Sequence, residues 1–205
     1  MKKTLLFALL TLSLSVFAAD KAPKNPLFSS PQIIWAGVDY SHARLIGPGE
    51  FANPAAIFPG MLEAWNNLVL QERLRTMKKA SGKAIVPDVT GVTEVNKSAT
   101  AAQIINAPGT NDTIAQTLIT PEVIAQAVKS YQLENKTGLG VVYIVDRFIK
   151  LEKKGTGAVY VVAFDVATRE VLSAERITGR AGGFGFRNYW FHLIKDAEKG
   201  LKKIR

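Results

Sequence analysis

Apolar positions change their period along the chain, and each change marks an element. In the run from Leu139, Val141, Tyr143 and Val145 share one face of an extended segment, while Val142, Ile144 and Asp146 share the other. Val159, Val161 and Ala163 oppose Tyr160, Val162 and Phe164 in the same way, and Gly155-Thr156-Gly157 is where the two runs meet. Both are apolar on both faces, so they read as central, covered strands of an antiparallel hairpin. The polar stretch Asp165–Glu170 returns a third run through Val171 and Leu172. Phe186, Tyr189, Trp190, Leu193, Ile194, Ala197, Leu201 and Ile204 then recur at three and four, the spacing of a helix that buries one face on the sheet.

The earlier half is less regular. Ile33–Ile46 carries β-formers with partial alternation, Trp35, Val38, Tyr40 and Leu45 among them, and stops at Gly47-Pro48-Gly49, which predicts one strand. Phe58–Lys79 has helical spacing at Met61, Leu62, Trp65, Leu68 and Val69, with basic residues toward its end and Gly82 beyond it. Lys83–Val95 reads as a strand interrupted at Pro87, which suits an edge or a bulge. Lys97–Thr120 has no clear period and is expected to be a surface excursion, with Ser98 a possible cap for a short helix through Ile105. Thr120-Pro121-Glu122 is a helix start with Thr as N-cap, and Val123, Ile124, Ala127, Val128 and Tyr131 form its apolar stripe.

The N-terminus changes the picture from fold to compartment. Met1-Lys2-Lys3, the apolar run Thr4–Phe17 and Val16-Phe17-Ala18 read as a secretory signal over residues 1–18, cleaved after Ala18 or, second, after Ala19. Residues 19–31, with three prolines, follow as an extended leader, and residues 32–205 as a single domain. The short Lys-Lys signal, with no later apolar run of spanning length, points to a soluble protein of the bacterial periplasm. No cysteine is present, so the chain has neither a disulfide nor a lipid-accepting thiol. The formal charge of +9 falls by two when Lys2 and Lys3 leave with the signal, a basic balance that permits an anionic partner without requiring one. The compartment argues against nucleic acid.

Candidate chemistry is sparse. Asp39-Tyr40-Ser41-His42-Ala43-Arg44 gathers hydrolase-like groups, yet in a regular strand Ser41 and His42 point to opposite faces and cannot pair. A hydrolase using Asp39, His42 or Asp146 therefore ranks third. Only two histidines, His42 and His192, stand beside the absent cysteines, so no metal-ligand spacing is present and no cofactor motif is recognised. Asp146 and Asp165 would form a carboxylate pair only if their strands brought them together. The basic residues Lys195, Lys199, Lys202 and Lys203 suit the end of the last helix. The strongest site signal is the glycine-rich loop, Arg180, Gly182, Gly183, Phe184, Gly185 and Arg187, where backbone N–H groups before a helix and two guanidinium groups could hold an anion. It lacks the ending of a nucleotide-binding P-loop.

Val141–Lys150, Ala158–Val166, the turn Asp165–Glu170 with Val171 and Leu172, and the helix Asn188–Lys203 together resemble the small periplasmic α/β domains of the curli-secretion lipoprotein and the penicillin-binding-protein activator lipoprotein. This chain departs from them in lacking the anchoring cysteine and in placing Arg169 where their turn often carries glycine. The resemblance implies a partner-binding or assembly role in the cell envelope. The sequence thus predicts an α+β domain with a mixed, largely antiparallel sheet of about five strands packed by about three helices. Its expected function is a non-enzymatic interaction or assembly module with an envelope protein partner, and the alternative is a binding protein for a small anionic ligand or glycan at loop 182–186.

Overall fold

The computed structural model describes residues 25–47, 49, 51, 53–105, 119–133, 137–151 and 154–204. The expected signal over 1–18, the start of the leader and the middle of the 97–120 excursion lie outside these residues.

Among the described residues seven strands form one sheet. In chain order they are β1 (Gln32–Asp39), β2 (Arg44–Ile46), β3 (Ala84–Pro87), β4 (Ile104–Ile105), β5 (Leu139–Leu151), β6 (Lys154–Asp165) and β7 (Val171–Arg180). The helices are α1 (Pro54–Ala56), α2 (Leu62–Leu68), α3 (Leu74–Ser81), α4 (Thr90–Asn96), α5 (Pro121–Ser130) and α6 (Phe186–Leu201). The path β3-β1-β5-β2-β4 is parallel throughout, and β6 and β7 continue from β5 as antiparallel neighbours.

This topology corrects the expected α+β fold with its largely antiparallel sheet of about five strands and about three helices. Five strands share one parallel order, so the architecture is α/β. The physical reason lies in the connections. Strands β1 to β4 are short, and helical segments lie between β1 and β3 and between β2 and β4, so these sheet neighbours meet by crossovers rather than hairpins. The antiparallel meander read from the alternation is present as β5–β6–β7, with Tyr143 opposite Val161 and Tyr160 opposite Arg176.

Each face of the sheet has its own helical layer. Trp35, Val38, Tyr143, Phe148 and Val161 pack beneath α2, α3 and α6, where Trp65 lies 5.2 Å from Phe148 and Trp190 lies 4.7 Å from Phe148, ring centre to ring centre. Arg73 clamps Glu198 at 2.6 and 2.9 Å and so ties the α2–α3 junction to α6. Ile34, Ala36, Val142, Ile144, Val162 and Phe164 pack beneath α4 and α5 on the opposite face.

Local signals explain most boundaries. Gly82 takes a left-handed φ of 74° and closes α3, and the Thr120 hydroxyl accepts the Val123 N–H to start α5. The expected helix Phe58–Lys79 is divided, because Phe58 adopts extended angles and wide turns at Ile57–Met61 and Val69–Arg73 interrupt the ladder. The single expected strand Ile33–Ile46 breaks into β1 and β2, because the Asp39 carboxylate accepts the Ser41 N–H at 2.8 Å and turns the chain. Lys83–Val95 is strand only to Pro87 and helix from Thr90. The short helix expected from Ser98 is instead a single tight turn, Ala101–Gln103, capped by Thr100. Part of the leader is fixed: Lys83 donates to the carbonyls of Phe28 and Ser30, both at 2.7 Å.

Candidate functional site

The expected site residues fall in three places. Arg180 ends β7, and its carbonyl lies 3.1 Å from His192 Nδ1. Gly182, Gly183, Phe184 and Gly185 make the bend between β7 and α6, with the Gly182 N–H donating to the Tyr189 carbonyl at 2.9 Å and Gly185 as N-cap at φ 76°. Phe184 is 95% exposed. Arg187 is exposed on the first turn of α6, its side chain 3.4 Å from Asn188 Oδ1 and its carbonyl engaged by Trp65 Nε1. The two arginines expected to share a ligand are therefore separated in environment: Arg180 lines concave surface at the end of β7, whereas Arg187 is exposed on α6.

What surrounds Arg180 is built by the strand register. Arg176, Thr178 and Arg180 alternate along β7, opposite Tyr160, Ala158 and Thr156 of β6, so all point to the face that carries α5 farther along. Arg147 lies opposite Ala158 and Ile149 opposite Thr156, and both join the same face from β5. Together these residues line an open trough of about 440 Å³. A second hollow of about 400 Å³ shares Thr156 and Arg180 and reaches Lys154 and Tyr189 at the end of the sheet.

Charge in the trough is arranged around Asp146. The register of β5 slips between Val145 and Arg147, which makes Asp146 the extra residue of a bulge and puts Arg147 on the face that Ile144 and Asp146 already share. Asp146 is fully buried. Its Oδ2 accepts Arg147 Nε at 3.0 Å and Arg176 Nη2 at 2.8 Å, while its Oδ1 accepts Arg147 Nη2 at 3.1 Å. One carboxylate thus orients two guanidinium groups, and Arg180 adds a third cation. Among the described residues three guanidinium groups and one carboxylate meet at the trough, with the Thr156 and Thr178 hydroxyls beside them. Burial first, and then the Asp146 charge, hold the nearby Tyr160 phenol above its ordinary value.

The hydrolase candidates are not assembled. Asp39 is buried, with Ser41 on one carboxylate oxygen and the Tyr131 hydroxyl on the other at 2.6 Å. No carboxylate meets the His42 ring among the described residues; its carbonyl accepts from Arg44. Asp165 accepts N–H groups in its own turn, seven residues along β5 from Asp146, roughly 20 Å away. Among the described residues no group of three metal-ligating side chains occurs, and no helix is long and apolar enough to cross a membrane.

A second concavity lies past the carboxyl end of β1, a cavity of about 640 Å³ between α1–α2 and α4. Tyr40, Phe58, Glu63 and Asn96 contribute to its wall.

Sequence reasoning missed Arg176 and Thr178 because the third run was read only through Val171 and Leu172, and Arg147 because its face is set by the bulge in β5. Carried through to Arg180, the alternation of Arg176, Thr178 and Arg180 would have shown a cationic strand face. The bulge that brings Asp146 beside Arg147 has no comparable signal.

No protein-family model matches the chain, and no curated protein matches it. Among solved structures it is similar to the hypothetical protein CT253 from Chlamydia trachomatis, at 12% identity over 84% of this chain and 87% of that one, with a TM-score of 0.36.

Proposed function

We propose that this is an exported, non-enzymatic binding protein of the bacterial envelope that holds a small oxyanion ligand in the arginine-lined trough of β5, β6 and β7. The observation that carries this reading is the buried Asp146, which fixes Arg147 and Arg176 while Arg180 remains exposed beside them. Fixed guanidinium forks lose little freedom on binding and match carboxylate or phosphate oxygens two at a time. The location moves from the glycine-rich loop to the sheet face, with Arg180 the residue common to both. Export rests on the signal over residues 1–18.

Calorimetric titration of the mature chain with citrate and with pyrophosphate tests the reading. Binding that weakens with salt and falls about tenfold or more in Arg180→Ala supports it. Citrate without pyrophosphate would assign carboxylates, and the converse phosphates. Failure of both anions to bind, or binding unchanged in Arg180→Ala, would overturn it.

The partner-binding reading keeps one supporting feature, the almost fully exposed ring of Phe184 on the loop before α6. A photo-reactive residue at position 184 that captures one envelope protein would favour it.

A further inference from the structure

The cavity beyond β1 is separate from the arginine trough and has the opposite electrostatic character. It lies outside the carboxyl end of a parallel strand flanked by β3 and β5, where open α/β sheets hold ligands. At about 640 Å³ it falls in the range of small-molecule sites. Much of its wall is apolar, with Ala55 and Phe58 from one side and Ala99 and Ala101 from the other. Phe58 is the residue at which the helical ladder opens, with φ −108° and ψ 122°.

Two polar groups in this wall have no partner among the described residues. Tyr40 is 2% exposed, yet its hydroxyl makes no hydrogen bond to any described group. The Glu63 carboxylate also makes none. Its charge acts on the Tyr40 phenol, which burial first and Glu63 second push above its ordinary value. The one cation in the wall, Lys97, is engaged with Glu94 outside. A hydroxyl that faces the cavity without a protein partner is open to a ligand group, and an exposed, unpaired carboxylate beside an apolar cavity selects a cation and rejects an anion.

We propose that this cavity binds a small amphiphile bearing a protonated amine, with the ammonium against Glu63 and the Tyr40 oxygen and the apolar body along Phe58, Ala55 and Ala99. The ammonium donates to both oxygens, and the Tyr40 hydroxyl proton is left to a second acceptor on the ligand or to water.

The test uses n-octylamine, 1-octanol and octanoate, titrated calorimetrically into the mature chain at neutral pH. Octylamine should bind most tightly, octanol more weakly, and octanoate least. Glu63→Gln should weaken octylamine about tenfold, to the level of octanol, and leave octanol unchanged; Tyr40→Phe should weaken octylamine by a smaller factor. Equal binding of amine and carboxylate, no binding by any probe, or octylamine affinity unchanged in Glu63→Gln would overturn the proposal. If either variant fails to fold, the ranking of the three probes on the unmutated chain decides.

Discussion

Asn96 of α4 serves Tyr40 as a strand partner would: its Oδ1 accepts the Tyr40 N–H at 2.8 Å while its Nδ2 donates to the Val38 carbonyl at 2.9 Å. Asn66 of α2 does the same two residues earlier, accepting the Val38 N–H at 2.7 Å and donating back to the same carbonyl at 3.1 Å. Gln103 continues the seam, donating to the carbonyls of Tyr40 and Ala43. Three side-chain amides therefore finish the edge of β1 beyond the point where its pairing with β3 ends. They also explain Gly37, which has φ +121° and where a Cβ would come 2.8 Å from Asn66 Oδ1.

Replacing Asn96 by Ala leaves the buried Tyr40 N–H without an acceptor. The expected loss is about 1–3 kcal/mol, read from urea unfolding. An unchanged midpoint would show that the amide seam contributes nothing to stability.

Asp146→Ala removes the carboxylate that Arg147 and Arg176 share at 0% exposure. Breaking a buried pair from one side costs about 3–5 kcal/mol. Because Arg176 is one-third exposed and can turn to solvent, the lower part of that range is expected from the same unfolding experiment. A smaller loss than in Asn96→Ala would contradict the role given to Asp146.

Trp190 is 1% exposed and packs against Phe51, Phe148 and Tyr189. Trp190→Ala should destabilise by about 3–5 kcal/mol through lost burial and the cavity left behind. Thermal stability equal to that of the unmutated protein would place that ring outside the core.

Alkaline pH should unfold the protein through its buried tyrosines. Burial holds the phenols of Tyr40, Tyr131 and Tyr143 above the ordinary value of 10.0, and the Asp39 charge and hydrogen bond add to the effect at Tyr131. In the unfolded chain they ionise at that ordinary value. The stability tied to their neutral form is fully present below pH 10 and drains as pH rises toward the folded-state values. Urea midpoints should be flat up to that point and fall beyond it. Phenol absorbance showing all three titrating at the ordinary value in the native protein would contradict this.

The sequence exposes those parts of the fold whose physics is local. Alternation from Val141 to Phe164 carries the β5–β6 pairing, the three-and-four spacing from Phe186 to Ile204 carries α6, and Thr120-Pro121 carries the start of α5. Arg169 is the one non-glycine residue at positive φ among the described residues, 61°, and its side chain donates to the Tyr131 carbonyl. The parallel order was hidden because it depends on crossovers between short strands. Ile104 and Ile105 become β4 only by pairing with Leu45 and Ile46, far away in sequence. The site was half legible for a similar reason. Arg180 was visible in its loop, whereas its neighbours Arg147 and Thr156 arrive through register across two other strands.

The central claim is that an oxyanion sits in the trough beside Arg176 and Arg180, and the most direct measurement is a two-dimensional amide NMR titration of the isotope-labelled mature protein with pyrophosphate and then citrate. The account predicts shifts that saturate and concentrate at Thr156, Gly157, Thr178, Gly179 and Arg180 for at least one of the two anions. Shifts confined to the first turn of α6 would return the site to the glycine-rich loop, and a spectrum unmoved by either anion would contradict the account.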